Sequence, residues 1–179
     1  KRKSLSATKK TLNFYLTKLK DPQIQKFYKI FSNNLASLNL NNKRIMIGVS
    51  GGADSLSTLF FSQYYALKHK VKLYPVIIDH KLRKESTNEA LNLKFNLKKN
   101  FNINCKILSK KIIKRDKNIQ SYARDLRYNL FFKECKKLKI NYLLLGHHKD
   151  DLIENFFIRF LRGSGLRGLV SFNKNVSNF

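Results

Sequence analysis

The chain has 179 residues and a mass of 21.0 kDa; a domain of this size buries roughly 70% of its unfolded surface, so it needs no disulfide staples and is too short for two large domains. Hydrophobic residues at 42% with 12% aromatics exclude intrinsic disorder. Charge is the anomaly: 37 Lys+Arg against 11 Asp+Glu give +26, and this scarcity of acids points to a polyanionic partner, nucleic acid ahead of an anionic membrane.

In chain order, residues 1–20 carry seven Lys/Arg and no acid, and read as a solvated basic arm without the apolar core of a secretory signal. From Pro22 to Leu38, Ile24, Phe27, Ile30, Phe31 and Leu35 recur at helical spacing, so an amphipathic helix leads into the main fold. Residues 44–49 form a short apolar run that ends in a Gly-Gly turn, as a buried parallel strand does. An apolar helix is predicted over 56–68 and a β-branched strand over 71–78, with Pro75 marking a strand end or an irregular edge. A helix over 85–101, a strand over 103–108, a long helix over 118–139, a strand over 141–145 and a helix over 150–162 follow. No apolar run approaches the ~20 residues of a membrane helix.

Strands alternating with helices predict an α/β fold, a parallel twisted sheet with helices on both faces. Residues 1–40 are then an arm and helix, and residues 41–179 the α/β domain. Ligands of such sheets lie beyond the carboxyl ends of the strands, near the switch in strand order. That rule selects the loops at residues 50–55, 79–85 and 146–154.

The first of these is Ser50-Gly51-Gly52-Ala53-Asp54-Ser55. Paired glycines let backbone approach an anion, and N–H groups with serine hydroxyls can surround phosphate at a helix start. No Gly-Lys-Ser/Thr follows, so it is not a Walker A loop. A carboxylate beside phosphates, as Asp54 would be, calls for an intervening Mg²⁺. Cys105 and Cys135 have no metal-site spacing and read as reduced, buried thiols of a cytosolic protein. Gly163-Ser164-Gly165-Leu166-Arg167-Gly168 formally matches a dinucleotide fingerprint, but it follows a helix instead of a strand.

Ser-Gly-Gly-x-Asp-Ser resembles the PP-loop of the ATP-pyrophosphatase superfamily. With Asp79-His80-Lys81-Leu82-Arg83-Lys84-Glu85-Ser86, Asn118-Ile119-Gln120, Ala123-Arg124-x-x-Arg127-Tyr128, and Gly146-His147-His148-x-Asp150-Asp151-x-x-Glu154 running on to Arg162-Gly163-Ser164-Gly165, the chain resembles the tRNA(Ile)-lysidine synthase family from about residue 44 to 169. The resemblance implies an ATP-dependent carbon–nitrogen ligase, with residues 41–179 as its PP-loop ATP-binding catalytic domain, cut short at its C-terminal end. A cytidine at the first anticodon position of tRNA(Ile) is adenylated at its carbon-2 oxygen, and the side-chain amine of free L-lysine then displaces AMP. ATP, Mg²⁺, tRNA(Ile) and lysine are the implied cofactors and partners. The location implied is cytoplasmic, with an organelle left open, no membrane is involved, and a homodimer is allowed.

On this reading Ser50, Gly51, Gly52, Ala53, Asp54, Ser55, Asp79 and His80 bind ATP. Asp54, Asp151, Glu154 and Arg124 are catalytic, with Asp54 and Asp151 holding the metal. Arg83, Arg127, His147, Arg162, Gly163 and Gly165 contact tRNA. Independently of the resemblance, Asp151 and Glu154 are three apart and Asp150 and Glu154 four apart, so these carboxylates share a helix face able to hold Mg²⁺ or an ammonium group. Arg124 and Arg127 likewise share a face suited to phosphate. Asn155 stands where the family usually has threonine, and the family's remaining sheet segment and tRNA-recognition regions lie past residue 179. Two alternatives stay open: another PP-loop tRNA enzyme such as a cytidine thiolase, or a non-catalytic basic RNA-binding module.

Overall fold

The computed structural model describes residue 17 and residues 20–81, 83–110 and 119–146. The expected helix over 150–162, the pair His147 and His148, the acids Asp150, Asp151 and Glu154, and Arg162, Gly163 and Gly165 lie outside the described residues. Within them the order is α1 (Pro22–Ala36), β1 (Arg44–Gly48), α2 (Ala53–His69), β2 (Lys72–Asp79), α3 (Ser86–Phe101), β3 (Lys106–Ser109), α4 (Ile119–Leu138) and β4 (Tyr142–Leu145).

The four strands form one sheet in the order β3-β2-β1-β4, and every pairing is parallel. Chain direction across the sheet reverses at β1: β2 and β3 build out to one side, β4 to the other. Parallel strands covered on both faces are apolar throughout instead of alternating, and β1 is buried from Ile45 to Gly48. Ile45, Ile47, Ile77, Leu59 and Leu97 belong to the core beneath α2 and α3, whereas Met46, Val76, Phe131 and Cys135 belong to the core beneath α4. Period-2 alternation along β1 and β2 therefore feeds two separate cores, as a doubly covered sheet requires.

Three local expectations change. Pro75 sits inside β2, opposite Ile47, and not at the strand's end. Val49 N donates to Val76 O (2.8 Å), so the polar groups of Val76 face β1 and those of Pro75 face the opposite side. There β3 begins only at Lys106, opposite Val76, and the missing N–H interrupts no ladder bond to β1. Second, α2 starts at Ala53, since Leu56 N donates to Gly52 O (3.0 Å); Asp54 is a first-turn helical residue and not a loop residue. Third, the apolar stripe of α1 is split. Asp21 caps this helix, Oδ1 accepting from Gln23 N and Ile24 N, with Pro22 in the first turn. Contact with α2 runs through Tyr28 on Tyr64 (4.7 Å between rings) and Phe31 on Phe61 (5.6 Å). That line leaves Phe27 and Ile30 projecting outward, 59% and 53% exposed.

Helix ends carry an unannounced cost. Lys70 and Asn102 close α2 and α3 in the left-handed conformation (φ 53° and 55°), and Lys139 after α4 has φ 53°. Glycine adopts that conformation freely, other L-residues at roughly 1–2 kcal/mol. Lys70→Gly should therefore raise unfolding free energy by about 1 kcal/mol, read as a higher urea midpoint at unchanged slope. An unchanged or lower midpoint would show that the Lys70 side chain compensates for its backbone.

Candidate functional site

The carboxyl ends of β1, β2 and β4 meet the starts of α2 and α3 around a cavity of about 510 Å³. Ser50, Gly51 and Ser55 form one wall, Asp79, His80, Arg83, Ser86, Glu89 and Leu93 another, and Arg127, Phe131, Leu145 and Gly146 close the third side. This is the switch in strand order, where the sheet topology leaves a crevice.

Ser55 ties the first wall together. The residue is 4% exposed, and its hydroxyl donates to Gly52 O (2.9 Å), accepts from Ser50 N (3.2 Å) and lies 3.1 Å from Ser50 Oγ. Gly51 turns the chain at φ +89°, a region that L side chains rarely adopt. The N-cap of α2 is Gly52, which has no side chain to satisfy the first N–H groups. The positive helix end therefore stays uncapped by the protein's own hydroxyls, the arrangement that suits an anion. Gly146 presses against this turn: a Cβ there would lie 2.6 Å from backbone atoms of Asp54 and Ser55. Only glycine lets the end of β4 approach the start of α2 so closely.

On the second wall, Asp79 is 2% exposed and fully engaged. Oδ1 accepts from Lys81 N (2.9 Å) and Ser86 Oγ (3.0 Å), and Oδ2 accepts from Thr87 Oγ1 (2.7 Å). Burial alone would push its carboxyl up, but the hydrogen bonds from Thr87, Lys81 and Ser86, with the Lys81 charge, together hold it below the ordinary carboxylate value. Asp79 thus fixes the loop after β2 to the first turn of α3. Burial, followed by the Arg127 charge and opposed by Asp79, pushes His80 below the usual imidazole value, so it is neutral at neutral pH.

The structure brings Ser50, Gly51, Ser55, Asp79, His80, Arg83 and Arg127 around one cavity. Asp54 lies on the exposed side of the first turn of α2, one residue before Ser55, and Gly52 and Ala53 lead into it. Arg83 is 3.2 Å from Glu89 in a largely exposed ion pair at the rim. Arg124 lies over the Tyr128 ring (5.9 Å) and is not part of the cavity lining. Ser86, Thr87 and Glu89 have site roles that the sequence reading did not assign. The available signal was two hydroxyl residues seven and eight positions after a strand-end aspartate, at a helix start. The two thiols are buried in different cores, Cys105 beneath α2 and α3 and Cys135 beneath α4, with burial pushing Cys105 up to about 12 and raising Cys135.

Asp79 also gives a pH signature. Its folded value is depressed, so it adds stability that is present above the unfolded carboxylate value (~3.9) and lost as pH falls through the lower folded one. Asp79→Asn should lower stability at pH 7 by about 1.5–3 kcal/mol, the worth of charged hydrogen bonds. It should also flatten the acid limb of the stability profile below pH ~4. Parallel acid limbs for the two proteins in urea titrations would contradict this.

The family model of the PP-loop domain matches residues 20–179. The tRNA(Ile)-lysidine synthase of Orientia tsutsugamushi (strain Boryong) is 42% identical over 134 residues, 74% of this chain and 30% of that protein. The tRNA(Ile)-lysidine synthase of Rickettsia prowazekii (strain Madrid E) is 36% identical over 148 residues, 82% of this chain and 34% of that protein. The chain thus spans about a third of the length of these curated relatives. Among solved structures, the U34-tRNA thiolase NcsA from Methanococcus maripaludis with its [4Fe-4S] cluster superimposes with a TM-score of 0.66 at 18% identity, over 84% of this chain and 56% of that one, a likeness of fold. With the Ser50–Ser55 turn at the switch in strand order, these likenesses give one conclusion: the chain belongs to the PP-loop domain family, and its sequence relatives include tRNA(Ile)-lysidine synthases.

Proposed function

We propose that this chain is the ATP-binding, adenylating part of a tRNA(Ile)-lysidine synthase. What carries the reading is the uncapped, glycine-turned start of α2 opening on a cavity that also holds Arg127 and His80, in a chain 35–42% identical to such synthases. ATP would lay its phosphates against the N–H groups of residues 51–55, with Ser50 and Ser55 shaping the turn. The carbon-2 oxygen of the target cytidine attacks the α-phosphorus, and pyrophosphate leaves. The side-chain amine of free lysine then attacks carbon-2, and AMP leaves with its oxygen.

Mg²⁺ fits the donor set. Among the described residues no group of three His, Cys, Asp or Glu side chains could hold a metal by itself, but Mg²⁺ is usually bound by one or two carboxylates together with substrate phosphates. Asp54, exposed beside the turn, would be one such carboxylate and Asp151 the other; the ion would neutralise charge on the departing pyrophosphate. Arg124 and Arg127 would balance phosphate charge, with Arg83, His147, Arg162, Gly163 and Gly165 toward the tRNA and Glu154 toward the reacting lysine. The basic surface, +26 overall, supplies the attraction to tRNA(Ile). In the further proposed organisation, residues 1–40 precede a catalytic domain from residue 41, with a homodimer allowed and a cytoplasmic setting.

The deciding assay supplies radiolabelled ATP and tRNA(Ile) with and without lysine, in the chain joined to the remainder of its protein. Lysine-dependent AMP release is expected; dependence on a sulfur donor would replace the reading with a thiolase, and no turnover with a binding module. Asp54→Asn should leave the melting temperature nearly unchanged and slow tRNA-dependent pyrophosphate release roughly 100-fold or more. Near-normal release at saturating ATP and Mg²⁺ would remove Asp54 from the chemistry. Log affinity for tRNA should fall linearly with log salt, by about 0.7–0.9 per phosphate neutralised; a flat salt titration contradicts electrostatic docking.

A further inference from the structure

Arg127 reaches the crevice from α4, and the contacts that fix this helix lie one to two turns further along it. In its first half Ala123 and Leu126, with Leu130, form a cluster apart from both sheet cores among the described residues. Its second half meets the sheet. Phe131 and Cys135 belong to the core of Met46 and Val76, and a Cβ on Gly48 would lie 2.8 Å from the Phe131 ring. Beside them Glu134, its side chain only 7% exposed, accepts from Lys106 Nζ on β3 at 2.6 Å. Arg127, Phe131 and Glu134 stand four and three residues apart, so they share one face of α4. Neither Lys106 nor Glu134 borders the crevice.

Such a pair is a poor device for stability alone. Withdrawing a carboxylate from water costs about what its attraction to a cation returns, and an apolar pair of like volume often holds a fold as well. What the pair has, and an apolar contact lacks, is direction. A short charge-assisted hydrogen bond fixes both the rotation and the height of a helix. Contacts among Phe131, Cys135 and Met46 are non-directional and leave the helix free to turn or slide slightly. Glu134 is about 10 Å along the axis from Arg127, a distance over which a helix carries a displacement as a rigid rod. We propose that Glu134, held by Lys106, is a positioning residue for Arg127: the ion pair sets α4 against β3 and so decides where the guanidinium stands in the crevice. What Arg127 does for the reaction rests on the function proposed above; its positioning rests on the pair and the shared helix face.

Three variants separate position from stability. Lys106→Met with Glu134→Leu removes both charges and keeps the bulk, so the urea midpoint should stay close to that of the parent. Glu134→Gln keeps the shape and an acceptor for Lys106. Glu134→Asp keeps the charge and shortens its reach by one carbon. The reporter is the Arg127 Nε–H, which is buried and makes no hydrogen bond, followed by NMR of the arginine side chains and identified by its loss in Arg127→Gln. In the double variant this signal should shift, and its proton should exchange with solvent roughly 10-fold faster, while backbone amides of α2 and α3 stay unchanged. Glu134→Gln should leave the signal near its parent position, and Glu134→Asp should move it. An unmoved Arg127 signal in the folded double variant overturns the proposal. If the double variant does not fold, equal signals in Glu134→Asp and Glu134→Gln overturn it.

Turnover supplies a second reading, in the chain joined to the remainder of its protein. The double variant should lower kcat for AMP release roughly 10- to 100-fold with the KM for lysine unchanged. In an Arg127→Gln background it should cost nothing further, because both changes remove the same contact. Losses that multiply in full with Arg127→Gln contradict the positioning role, as does a kcat that simply follows the urea midpoint. Absence of turnover in the parent would remove the proposed reaction, and the Arg127 signal would still decide whether the pair positions that residue.

Discussion

Everything at the site depends on β1 being sealed on both faces and both edges. A strand flanked by parallel neighbours and covered above and below has no freedom to slide, since a one-residue slip would exchange Met46 and Ile47 between two different cores. The turn that follows is fixed in space by that registration. Gly146 then sets how near β4 comes to the first turn of α2, through a backbone contact that leaves no room for a methyl group. The width of the crevice is therefore determined by two rigid elements and one absent side chain.

The electrostatics divide the cavity into a settled half and an unsettled half. On the α3 side, acid and base are matched: Asp79 has three donors, and Arg83 has Glu89. Less settled are the neutral imidazole of His80, just after β2, and the cation of Arg127 on α4, each with one buried atom that makes no hydrogen bond. The net charge of +26 favours negative ligands from any direction, whereas this local contrast distinguishes one part of the crevice from another.

Much of this was legible in the sequence because the dominant signal was periodicity. Each predicted strand and helix within the described residues exists, with ends displaced by a few positions. The Ser50–Ser55 turn was readable because two glycines between serines after an apolar run have few structural alternatives. Strand order was not readable, since nothing local tells β4 to add beside β1 instead of β3. Nor was the task of Asp79: its hydroxyl partners look like ordinary helix-start residues until the loop folds back. The C-terminal ends of α2, α3 and α4 were readable to within a residue even though Lys70, Asn102 and Lys139, and not glycine, take the left-handed conformation there, because the apolar periodicity itself stops. Pro75 did mislead, because an interruption matters only on the side where a neighbour is present.

The position of β4 has a consequence for how the chain is made. Its register pairs Ile45 with Tyr142, so one border of the first strand waits for nearly the whole intervening sequence to be synthesised. Its other border is satisfied much earlier, by β2, at Arg44↔Lys72. For most of translation the nascent domain carries an open apolar strand edge, the feature that invites pairing with other chains. An acid-poor, strongly cationic chain has a built-in remedy: like-charged nascent copies on neighbouring ribosomes repel one another. The same excess charge that favours a polyanion would thus also keep half-made sheets apart until β4 covers that edge of β1.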